Sequence, residues 1–169
     1  MSQTEFKNGL AHAPEGDPHI VILGTLPGDE SIRSGKYYED ERNDFWKILD
    51  GIWEGINSPS YKIKMETLQK NHIILWDVLK SAEREGSGDR AIINPTPNNF
   101  NDLFSKYKNI NLIIFNGKSP YKWMKKRQIR ELLDYNPKKV RTLPSSSRSN
   151  THKTLKEKTE EWKKELKDF

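Results

Sequence analysis

The chain has 169 residues, 33% hydrophobic and 31% charged, with no cysteine and a formal net charge of +5. That length fits one domain with a three-layer core, and the lack of cysteine excludes disulfides, thiolate metal sites, iron–sulfur clusters and a cysteine nucleophile. No run approaches about 18 consecutive apolar residues, so no transmembrane helix is expected, and the start lacks the apolar core of a signal peptide, which makes a cytoplasmic protein the simplest expectation.

Residues 1–18 are polar, contain Pro14, Gly16 and Pro18, and read as a loosely held lead-in to one α/β domain over 19–169. His19 to Leu23 reads as a strand buried on both faces. It breaks at Gly24-Thr25-Leu26-Pro27-Gly28, a tight turn able to offer backbone N–H groups at the carboxyl end of a first strand. This loop, continuing through Ser31 to Tyr37 and Tyr38, is the expected active-site stretch. Phe45, Trp46, Ile48, Leu49, Ile52 and Trp53 recur at helical spacing, predicting a helix over Asn43–Trp53, with Trp46 and Trp53 in the core.

A loop over Gly55–Ser60 and a short amphipathic helix over Tyr61–Lys70 follow. Asn71–Asp77 reads as a second buried strand, Ser81–Arg90 as a surface loop, and Ile92–Asn101 as another loop ending in a helix cap at Asn99 or Asn101. Phe100, Leu103, Phe104 and Tyr107 suggest the helix that follows. Asn111–Phe115 is a third buried strand, Ser119–Leu133 a basic amphipathic helix, and Lys139–Leu143 a weaker edge strand. After a small-residue loop from Pro144 to Asn150, Thr151–Lys167 reads as a helix with Leu155, Trp162 and Leu166 as its apolar stripe.

Four strand signals separated by helix-length segments predict a three-layer α/β sandwich around a four-stranded parallel sheet. The loops after the strands then gather on one edge, where a ligand binds. From Lys118 to Arg148 ten Lys and Arg face two acids, Glu131 and Asp134, a local balance of +8. Such a segment is either an anion-binding face or a solvated helix face.

Familiar motifs fail. Gly117-Lys118-Ser119 lacks the P-loop glycine, since Leu112 stands in its place. There is no three-glycine dinucleotide fingerprint and no Gly-x-Ser-x-Gly elbow. His12, His19, His72 and His152 are isolated from one another in sequence, so no metal or cofactor is expected. Asn116 at a strand end could read a nucleobase edge, or be a turn residue before Gly117. Asp77 could assist chemistry or cap a helix.

The stretch Ile22-Leu-Gly-Thr-Leu-Pro-Gly-Asp-Glu-Ser-Ile32, with Tyr37-Tyr38 and Arg42-Asn43-Asp44-Phe45-Trp46, resembles the first motif of the hypoxanthine-DNA glycosylase family of the uracil-DNA glycosylase superfamily. Trp76-Asp77-Val-Leu, Gly86-Ser87-Gly-Asp89, Phe115-Asn116-Gly117 and Leu143-Pro-Ser-Ser-Ser-Arg-Ser-Asn150 resemble its later motifs, in order. The resemblance implies excision of a flipped deaminated base, hypoxanthine or uracil, from duplex or single-stranded DNA; no residue stands out as a Schiff-base lysine, so a monofunctional enzyme that leaves an abasic site is expected. It implies Asn43 as the catalytic asparagine and Asn116 as reader of the base. It also implies that Pro144, Ser145, Ser146, Ser147, Arg148, Ser149 and Asn150 form a loop entering the minor groove.

Phe45, then Tyr38, are the expected stacking partners of the base, and Gly24, Thr25, Pro27, Gly28 and Ser31 the loop that meets phosphate or base. DNA is the expected partner of a monomer that does not contact membrane. Two departures stand out: Glu39-Asp40-Glu41 replaces the usual Ala-His-Pro, and Arg148 stands where a proline is usual. The acidic insert also fits a DNA-binding relative without useful catalysis; a small α/β nucleoside or nucleotide hydrolase is the other rival.

Overall fold

A computed structural model describes residues 3–124 and 139–167. Its centre is a parallel sheet of β2 (Ile20–Gly24), β3 (Ile73–Asp77), β6 (Leu112–Asn116) and β7 (Lys139–Leu143), in the order β3-β2-β6-β7. All five residues of β2 and of β6 are buried, as expected of apolar, mostly β-branched runs covered on both faces. Alternation divides them: Val21 and Leu23 pack into one core with Phe100, Leu103 and Phe104 of α4 (Phe100–Lys106). Ile20 and Ile22 pack into the other with Phe45, Trp46, Ile48 and Leu49 of α2 (Phe45–Asp50), Leu68 of α3 (Tyr61–Lys70), and Trp162 and Leu166 of the last helix, α6 (Leu155–Leu166). This is the expected three-layer arrangement.

A second sheet was not expected. The lead-in contributes β1 (Glu5–Asn8), and the anticipated loops contribute β4 (Leu79–Arg84) and β5 (Ile93–Pro97), giving an antiparallel sheet in the order β1-β4-β5. β1 buries only Lys7, and β4 buries Ser81 and Arg84 beside Leu79 and Ala82, so the usual apolar alternation is absent. Register shifts along β4–β5 blur it further.

Helix ends follow local capping. Asn99 caps α4 through the Asp102 N–H, one of the two caps expected. α6 starts later than expected because Thr154 and Glu157 close a capping box. Leu155 is exposed, leaving Trp162 and Leu166 as the buried stripe. The expected loop after Gly28 holds a further helix, α1 (Asp29–Ser34). The expected helix over Ser119–Leu133 is seen as α5 (Lys118–Trp123), which ends where Met124 turns extended, and residues 125–133 lie outside the described ones. No helix among the described residues is long and apolar enough to cross a membrane.

Candidate active site

Parallel register sets Gly24 beside Asp77, and Leu23 beside Phe115, so Asn116 follows at the same edge. The loop after β2 turns its carbonyls into the protein. Those of Gly24, Thr25 and Gly28 accept from the N–H groups of Val78, Leu79 and Ile32 at 2.8, 3.0 and 3.0 Å. Those of Leu26 and Pro27 accept from the Arg84 guanidinium at 3.4 and 2.5 Å. No described residue accepts from the N–H of Leu26 or Gly28, which leaves these donors for a ligand.

Asn116 is more than a turn residue. Its buried amide donates to Ser146 Oγ at 2.8 Å and Tyr38 Oη at 3.1 Å, and its oxygen accepts from the Ser146 N–H at 2.9 Å. Gly117 follows with φ +96°, and a side chain there would meet Ser145 Cβ at 2.7 Å. The seryl loop is thereby fastened to the strand end. Asp44 N–H also donates to Ser146 O at 2.9 Å, and Trp162 Nε1 to Pro144 O at 2.9 Å. Ser146 is fully buried; Arg148 and Ser149 are exposed at the tip.

Tyr38 and Phe45 are brought together. Tyr38 adopts φ +54°, a strained conformation for a bulky residue and frequent at functional sites. Its carbonyl and that of Tyr37 accept from Trp46 Nε1. Its ring stacks on Phe45 with centroids 3.8 Å apart, and burial together with nearby Asp77 raises the phenol's pKa. Asn43 is half-buried before α2, its side-chain oxygen accepting from the Phe45 N–H at 3.0 Å.

Asp77 caps no helix. Its Oδ2 is buried without a hydrogen-bond partner among the described residues, and a side chain on Gly24 would meet its Oδ1 at 2.5 Å and Tyr38 Oη at 3.2 Å. Burial foremost, and then the nearby charge of Asp89, raise its pKa to about 7, against the pull of Arg84. A strand-end acid has no sequence signal for this; only the Gly24–Asp77 register places it.

The remaining expected residues are less open. Ser31 lies in α1, its hydroxyl accepting from the Glu39 N–H at 3.1 Å, and Thr25 Oγ1 donates to Ser119 Oγ at 3.1 Å. In the acidic insert, Asp40 accepts two bonds at 2.9 Å from the Arg42 guanidinium, which holds its carboxyl below the usual range; Arg148 lies near enough to add to this. Of the basic segment, residues 125–138 lie outside the described ones. The histidines are not all isolated. His19 and His72 stack with centroids 4.3 Å apart beside Asp17, at the opposite end of β2 and β3 from Gly24 and Asp77.

Sequence and fold both match known proteins. Residues 11–168 match the Uracil DNA glycosylase superfamily. The hypoxanthine DNA glycosylase of Methanosarcina acetivorans is 37% identical over 158 residues, covering 93% of this chain and 96% of the relative. The hypoxanthine DNA glycosylase of Methanosarcina barkeri is 42% identical over 113 residues, covering 66% and 72%. A solution NMR structure from Methanosarcina acetivorans, assigned to the uracil DNA glycosylases, superposes with a TM-score of 0.80 at 34% identity, covering 97% of this chain and 98% of that one. With this match over residues 11–168 and a shared parallel-sheet fold, the chain belongs to the uracil DNA glycosylase superfamily.

Proposed function

We propose that the protein is a monofunctional DNA glycosylase that excises hypoxanthine, with uracil as a second base to be tested. One observation carries the site assignment: the buried Asn116 amide and the Tyr38–Phe45 stack meet at the edge where the fastened seryl loop leaves the sheet. A flipped base needs a ring to stack on and an amide to read its edge. Here Tyr38 covers Phe45 and holds the Asn116 amide, and the base takes over both contacts as Tyr38 turns aside. The exposed Arg148 enters the gap or grips a phosphate.

Breaking the glycosidic bond leaves positive charge on the sugar and negative charge on the departing base, so fixed dipoles carry the chemistry. The Leu26 and Gly28 N–H groups face the anionic side of the reaction. Asn43 positions water through a neutral amide while its oxygen holds the Phe45 N–H. Asp77 keeps its proton in part of the population at neutrality and then does not repel an anionic base.

The test is excision from labelled duplexes carrying one deoxyinosine, one uracil or neither, with alkali revealing abasic sites. Cleavage at inosine is expected. Salt-sensitive binding without cleavage of either lesion overturns the enzymatic reading, and release of base from free nucleosides alone overturns the DNA reading.

A further inference from the structure

Arg84 is the largest charged side chain fully buried in the described structure, and nothing in the sequence announces it: it ends β4 but lies within the expected surface loop over Ser81–Arg90. Its Nε donates to Gly86 O at 2.9 Å, Nη1 to Leu26 O at 3.4 Å and Nη2 to Pro27 O at 2.5 Å. Burying a guanidinium is costly unless its donors are used. Here they are spent on backbone carbonyls, with the Asp29 carboxylate 3.9 Å away and no carboxylate among the described residues in direct fork contact. Two of those carbonyls belong to the loop that lines the candidate site. Behind it, the buried Lys7 of β1 reaches Asp29 Oδ1 at 2.5 Å and Gly86 O at 2.6 Å, and Ser87 Oγ accepts from the Asp29 N–H at 2.9 Å.

A peptide unit whose carbonyl is held inward presents its N–H on the opposite side. We propose that Arg84, backed by Lys7, is a positioning residue: through Pro27 O it fixes the Pro27–Gly28 peptide plane, and through Leu26 O the proline link before it, so that the Gly28 N–H meets the negative charge of the departing base. This rests on the glycosylase reading above. Arginine suits the task because its planar fork fixes two carbonyls at once, whereas an ammonium is a single point.

The test is single-turnover excision from a deoxyinosine duplex by the full chain, alongside affinity for the undamaged duplex. For Arg84→Gln, a fall in rate of about 30-fold is expected, since displacing oxyanion-type donors costs up to 10²–10³, with duplex affinity within twofold. Arg84→Lys restores part of the rate, and Lys80→Ala, exposed on the same strand, leaves it unchanged. A folded Arg84→Gln variant with the wild-type rate, or a loss confined to duplex affinity, overturns the proposal. If Arg84→Gln does not fold, Lys7→Met decides: a severalfold slower excision at unchanged affinity supports the brace, and an unchanged rate overturns it. Wild-type protein that excises no lesion sinks the glycosylase reading instead, a result these variants cannot mimic.

Discussion

The ring of Tyr38 lies on Phe45, 3.8 Å between centroids and 18° from parallel, while its hydroxyl accepts from the Asn116 amide at 3.1 Å. The two contacts proposed for a flipped base are thus made by a side chain. Tyr38→Phe keeps the stack and removes the acceptor. It is expected to cost about 1 kcal/mol in denaturant unfolding. It is also expected to speed single-turnover excision severalfold, because the ring leaves more easily. A slower variant would show that the phenol contacts substrate itself.

Asn116→Ala strips the acceptor from the buried Ser146 N–H and loosens the seryl loop. An orphaned buried donor costs about 1–3 kcal/mol, so a lower melting temperature is expected. The inosine-to-uracil rate ratio should also move toward unity. An unchanged ratio would confine Asn116 to holding the loop.

Asn43→Ala removes both the proposed water contact and the bond to the Phe45 N–H. The second loss resembles loss of a helix cap, about 1 kcal/mol. The rate is expected to fall by about 100-fold or more, out of proportion to stability. Full activity in a folded variant would remove Asn43 from the mechanism.

Asp77 makes two pH predictions of defined sign. Its pKa is 3.8 unperturbed and about 7 in the folded protein. Between those values the folded chain holds a proton that the unfolded chain has released, so stability falls as pH rises through this window and then levels. Asp77→Asn should flatten that slope and melt higher than wild type at pH about 8, with little gain at pH about 4. Excision should slow above neutrality as the carboxylate ionises beside the departing base, and Asp77→Asn should lose this limb.

Arg148 should act through phosphate or the DNA gap, not through the base. Arg148→Ala is expected to weaken binding to damaged and undamaged duplex alike and to reduce the salt slope by about 1. A loss specific to the damaged duplex would mark it as the wedge.

The parallel sheet was legible because Ile20–Leu23, Ile73–Leu75 and Leu112–Phe115 are short apolar runs with one structural meaning. The first motif holds Tyr38, Asn43 and Phe45 within eight residues, so their contacts with one another are short-range and legible in the sequence. The antiparallel sheet was hidden because its buried residues include Lys7, Ser81 and Arg84, which pattern reasoning assigns to solvent. Asp77 stayed open between assisting chemistry and capping a helix for a related reason: it is set against Gly24 across the sheet, and register is not written in local sequence. Lys158 is a third case, a buried lysine on α6 whose Nζ lies 3.4 Å from Asp44 Oδ2 beside the start of α2.

β1 ties the beginning of the chain to the chemistry. Only four residues long, it pairs with β4 and delivers Lys7 to Asp29, the residue after Gly28, and to Gly86 O, which Arg84 also holds. On the proposal above, β1 is a working part and not a loose lead-in. A shortened version starting after Asn8 would retain every strand of the parallel sheet and still be a damaged tool. If the brace works as proposed, a deletion that removes β1 should slow excision as Lys7→Met does.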